Sequence, residues 1–171
     1  MAEKKAIITG LKLKYEGLFD LKELYHVMER WFKEMGYDKD DYGHEYKVFE
    51  DSKVLNLDIR PYRSVSEYVK LMMIIKITCA NLKDVVVKID GKDTKLQDGD
   101  VTFVFNGYVI SDYEKRWVAN AFSYFLRVII DKYLYSGYMR DFEGLCKEDV
   151  SSIYTELSAY LNINKYRFGE K

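Results

Sequence analysis

Apolar and polar positions alternate from residue 6 to residue 16. Ile7, Thr9, Leu11, Leu13 and Tyr15 fall on one side, with Lys12, Lys14 and Glu16 opposite. A period of two predicts a half-buried strand, and Gly17 is expected to break it. The period then changes. Over 20–35, Leu21, Leu24, Tyr25, Met28, Trp31, Phe32 and Met35 recur at three-and-four spacing, which predicts an amphipathic helix. Asp20 suits its N-cap, Phe19 and Leu24 a hydrophobic staple, and Gly36 its C-terminal stop. Its outer face carries His26, Glu29, Arg30, Lys33 and Glu34, with Glu29 and Lys33 spaced as an ion pair.

Alternation returns in 42–49, through Tyr42, His44, Tyr46 and Val48, and in 53–60, through Leu55, Leu57 and Ile59. Pro61 is expected to end the second of these or to place it at an edge. Residues 67–79 are partly apolar on both sides and read as a long central strand. Shorter strands are expected at 84–89 and 94–97 around the turn Asp90-Gly91, followed by a second turn at Asp98-Gly99. The last strand, 101–110, carries Val101, Phe103 and Phe105 on one face, with Gly107 as a bulge.

From Ser111 the pattern is helical. Phe122, Phe125, Leu126, Ile129, Ile130, Tyr133 and Leu134 form one stripe over 112–135, and Trp117, Ala121, Tyr124 and Val128 form another. A helix apolar on two sides is buried on more than one side. Ser136-Gly137 interrupts it. A final helix at 138–161 carries Val150, Ile153, Tyr154, Leu157 and Leu161, and a polar tail follows at 162–171. The fold class is therefore α+β. About six to seven antiparallel strands form a curved sheet, packed by a long C-terminal helix with one N-terminal and one final helix. Residues 1–161 are expected to be one domain.

Composition narrows the functions. A chain of 171 residues can bury roughly two-thirds of the surface its unfolded form exposes. Lys and Arg number 27 against 28 Asp and Glu, so there is no general basic field for nucleic acid. The two cysteines, Cys79 and Cys146, are too few for a secreted disulfide framework and read as buried thiols. The longest apolar run, Leu71–Ile75, is too short to span a membrane. Met1–Lys5 lacks a signal-peptide pattern. The cytoplasm is the expected location. Tyrosine, at 16 positions, is the compositional oddity; its apolar body and polar tip suit pocket walls and interfaces.

No motif fixes a chemistry. Asp38-Lys39-Asp40-Asp41-Tyr42-Gly43 has the opening of a calcium loop, but Tyr42 and Phe49 stand where that loop needs oxygen ligands. It reads as a solvated acidic turn. His26, His44, Cys79 and Cys146 lie on four separate elements without zinc-site spacing. His44 reads as structural or exposed. Ser111–Trp117 reads as a helix cap with a solvated first turn, or else as a polar rim at a pocket or interface. No metal and no cofactor is expected.

In order, the chain reads strand, helix, about six strands and a long apolar helix. Over residues 6–135 this order resembles the helix-grip domains of START and Bet v 1-like proteins. The resemblance implies a curved antiparallel sheet wrapped on a long helix, with a hydrophobic cavity between them. The chain departs from that pattern by having one long helix at 20–35 instead of two short ones, and by adding the helix at 138–161. No site residue carries over.

The leading expectation is a non-enzymatic binding module for a lipid-like or other hydrophobic small molecule. Its lining would come from Met73, Ile75, Phe103, Phe105, Phe125 and Ile129. The rival is an interaction or assembly protein, a homodimer in which Trp117, Ala121, Tyr124 and Val128 meet a partner. An enzyme ranks third. It would need His44 or a buried carboxylate beside a second polar group.

Overall fold

The computed structural model describes residues 3–48, 53–111 and 135–168, with side chains at 3–39, 47–48, 53–111 and 137–167. The elements are β1 (Glu3–Phe19), α1 (Leu21–Met35), β2 (Asp38–Val48), β3 (Lys53–Ser64), β4 (Val69–Ile89), β5 (Lys92–Ser111) and α2 (Tyr135–Phe168). The expected helix at 112–135 falls outside the described residues, apart from its last position.

The α+β class holds, with an open antiparallel sheet in the order β1-β5-β4-β3-β2. Four successive antiparallel pairings make the two edge strands, β1 and β2, run in the same direction. Between them α1 carries the chain from one edge to the other. A meander then returns through β3 and β4 to β5, which pairs with β1.

Local chemistry sets α1. Asp20 Oδ1 accepts hydrogen bonds from the Lys22 and Glu23 backbone N–H groups, at 2.9 and 3.3 Å. At the other end Gly36 takes φ 71°, and Tyr37 N–H donates to Phe32 O at 2.8 Å. That left-handed cap satisfies carbonyls the last turn would orphan. Leu24, Val27, Met28, Trp31 and Phe32 face inward. Glu29 binds Lys39 at 2.6 Å, and the expected partner Lys33 adds a weaker favourable charge.

The Asp90-Gly91 turn forms as expected, with φ 49° and 79°, the doubly left-handed geometry that suits a two-residue hairpin. Several expected breaks prove to be continuous strand. Residues 67–79 and 84–89 join in β4, because a bulge between Ala80 and Lys83 absorbs the irregularity. Asn81 there has φ 54° and donates from Nδ2 to Asp100 Oδ2 at 2.8 Å. Gly99 is its counterpart and not a turn: a Cβ would lie 2.8 Å from Ala80 O. β1 likewise runs through Gly17 to Phe19. Pro61 lies inside β3, opposite Lys39. On its other side the pairing runs to Ile59↔Ile75 and resumes at Tyr62↔Met72, so the missing N–H falls in a gap of the ladder. The acidic segment 38–43 is strand β2 paired to β3, not a turn.

One face of the sheet forms the core. Val69, Leu71, Met73, Ile75, Ile77 and Cys79 of β4 lie beside Val101, Phe103, Phe105 and Val109 of β5. Across them packs the inner stripe of α2: Phe142, Cys146, Val150, Ile153, Leu157 and Leu161. Gly107 is the contact point, not a bulge. A Cβ there would meet Val150 Cγ2 at 2.9 Å and Cys146 Sγ at 3.0 Å. The register shifts lie opposite it on β1, where Asn106 Oδ1 accepts from Gly10 N–H at 2.9 Å. α2 starts earlier and ends later than the 138–161 pattern, its helix running through part of the expected polar tail to Phe168. It lies antiparallel to α1: Ser152 reaches Trp31, and Tyr160 reaches Asp20. No helix among the described residues is long and apolar enough to cross a membrane.

Candidate functional site

Buried apolar layers rarely admit a carboxylate without partners. α2 carries one on its inner stripe. Asp149 is 1% exposed and sits between Cys146 and Val150 on the sequence spacing that buries both.

Two elements supply its partners. Tyr37 follows the α1 cap, whose hydrogen bond to Phe32 fixes its backbone. Its ring packs 5.5 Å from Trp31, and its hydroxyl donates to Asp149 Oδ2 at 2.6 Å. Arg63, near the end of β3, donates from Nη2 to the same Oδ2 at 2.8 Å and from Nη1 to Met35 O at 2.8 Å. Its guanidinium carbon stands 5.1 Å from the Tyr37 ring centroid, a cation–π distance. Arg63 Nε is buried and has no hydrogen-bond partner among the described residues. Beside the cluster, Trp31 Nε1 donates to Ser152 Oγ at 3.0 Å.

Burial, helped by the Asp149 hydrogen bond and charge, pushes the Tyr37 phenol far above its usual range, with Arg63 opposing. Burial pushes the Cys146 thiol up to about 11, and Asp149 adds to this. Cys79 rises to about 12 by burial alone. Neither thiol supplies a thiolate at neutral pH, and the thiolate is the nucleophile. What the cluster offers a ligand is donors: a fixed guanidinium whose buried Nε–H has no partner among the described residues, at the margin of an apolar layer.

Of the lining residues expected from sequence, four come together. Met73 and Ile75 on β4 and Phe103 and Phe105 on β5 are all buried on the core face, with Ile75 directly opposite Phe105. The Phe103 and Phe105 rings stack at 5.9 Å, and Phe105 meets Tyr154 of α2 edge-on at 5.9 Å. Phe125 and Ile129 lie outside the described residues. So do Trp117, Ala121, Tyr124 and Val128, the expected interface. His26 is exposed on α1, 3.9 Å from Glu29. His44 is placed by backbone register opposite Leu57. Among the described residues no three His, Cys, Asp or Glu gather as a metal site requires.

Sequence reasoning missed Tyr37, Arg63 and Asp149. A signal existed for Asp149, a charge sitting on an otherwise apolar stripe. Arg63 was hidden by ending the strand at Pro61.

No family model, no curated protein and no solved structure matches this chain, so the geometry alone carries the functional reading.

Proposed function

We propose that this protein is a non-enzymatic binding module. Its ligand is a hydrophobic small molecule with a hydrogen-bond-accepting head, taken up between the sheet and its helices. One observation carries the reading: the buried Arg63–Asp149–Tyr37 cluster borders an apolar, aromatic layer, and the buried Arg63 Nε–H has no hydrogen-bond partner among the described residues. Small-molecule sites combine mostly apolar walls with a few fixed polar groups. Phe105, Phe103, Met73 and Ile75 supply walls of that kind. The helix-grip resemblance, whose long helix at 112–135 lies outside the described residues apart from its last position, implies an apolar site of the same kind.

Native mass spectrometry of the purified protein, with organic extraction and titration of a long-chain fatty acid, tests this. The expected result is a co-purifying or added amphiphile bound one to one, with weaker binding in Arg63→Lys. Absence of both a bound molecule and fatty-acid binding to folded protein overturns it.

A further inference from the structure

We propose that the arm formed by the adjoining ends of β4 and β5 joins two copies of this chain, the β4 edge of one pairing antiparallel with the β4 edge of the other. This stands apart from the ligand reading.

The arm outruns its neighbours. Among the described residues β3 stops pairing with β4 at Lys53↔Leu82, and β1 stops pairing with β5 at Phe19↔Gln97. From Val85↔Leu96 to Ile89↔Lys92 the two strands pair with each other and, among the described residues, with nothing else. The free edge of β4 runs Asp84-Val85-Val86-Val87-Lys88. Three β-branched residues in a row suit a strand. Val86 is 61% exposed, on an edge whose unpaired backbone is a template for further pairing. The other edge of the arm, Lys92–Leu96, offers a copy less: Thr94 stands at its centre, and its one apolar residue, Leu96, is buried.

The β4 segment is its own complement. Antiparallel pairing about Val86 sets Val86 opposite the partner's Val86, Val85 opposite the partner's Val87, and Asp84 opposite the partner's Lys88. A twofold axis repeats the last two contacts, as a self-complementary surface requires. Opposite charges directly across such a pair stabilise it, and like charges destabilise it. Charge therefore marks the register. Centring on Val87 sets Asp84 against the partner's Asp90, and centring on Val85 sets it against the partner's Val86. Asp84 already accepts from Lys53 Nζ, yet its side chain stays 56% exposed and has room for a second cation. Lys88 is exposed. Strands this short bury little beside the roughly 1,600 Å² of a standard stable interface, so the dimer is weak and forms at high protein concentration.

Sedimentation velocity of the full chain, up to its solubility limit, tests the proposal. The mean mass should climb from the monomer and stop at the dimer. Asp84→Lys and Lys88→Asp each set like charges opposite one another twice, and each should weaken dimerisation about tenfold or more. An equimolar mixture of these two variants restores opposite charges at both contacts and should dimerise again. Val86→Lys should abolish the dimer. Hydrogen exchange at 84–88 should slow as concentration rises, and exchange at 92–96 should not. A monomer at every concentration, a mass that grows past the dimer, a dimer indifferent to Asp84→Lys, a mixture that stays monomeric, or slowing at 92–96 instead would overturn it. Circular dichroism checks that each variant folds, and the unaltered chain alone decides the mass and the exchange.

Discussion

Arg63 Nη2 donates to Asp149 Oδ2 at 2.8 Å, tying β3 to α2 across 86 positions of sequence. The same guanidinium holds Met35 O at the end of α1. One side chain thus fixes the mutual placement of three elements around the apolar layer.

Removing one partner of a buried pair leaves the other charge stranded, so Asp149→Ala should destabilise the fold by about 3–5 kcal/mol. Tyr37→Phe removes a single bond to a charged acceptor, at about 1.5–3 kcal/mol. Urea denaturation of the single variants and of Y37F/D149A checks both. The double variant should cost clearly less than the sum, since both act through Oδ2. Additive costs would mean that the two groups do not share that oxygen.

Gly107 permits a close approach of β5 to α2. Gly107→Ala should cost about 1–3 kcal/mol through overpacking against Val150 and Cys146. Val150→Ala in the same chain should recover part of that loss, because it removes the Cγ2 atom in conflict. Thermal melts of both single variants and the pair measure the coupling.

The buried thiols set an alkaline limit. Unfolded, both ionise near 9; folded, Cys146 is held to about 11 and Cys79 to about 12. Raised folded values mean that their contribution to stability is complete below about pH 9 and is lost as pH rises through 11 and 12. Tyr37, also raised, extends the loss above its ordinary range. Denaturation midpoints should hold level to about pH 9 and fall beyond it, with a shallower fall in Cys146→Ala. In native protein at pH 8 neither thiol should react with a disulfide reagent until the chain is unfolded.

The local elements were legible because their determinants are local. α1 follows from the three-and-four spacing, the Asp20 cap and the Gly36 stop. The hairpin at Asp90-Gly91 follows from two residues that tolerate positive φ. The core strands follow from alternation, and Met73, Ile75, Phe103 and Phe105 were placed on buried faces for that reason. Gly17, Pro61 and Asp98-Gly99 have the composition of punctuation, but cross-strand pairing carries the chain through each.

Sequence by itself determined the α+β class, the bounds of α1, the tight hairpin and the apolar stripe of α2. Each depends on residues a few positions apart, where backbone preference and periodicity act. Tertiary structure alone decided that β1 stands at one edge and β2 at the other, that Gly107 makes room for Cys146 and Val150, and that Arg63 and Tyr37 converge on Asp149. Those depend on which distant segments share a desolvated volume. Once Asp149 is buried there, the cost of an unpaired charge requires its partners, and no spacing along the chain records where they come from.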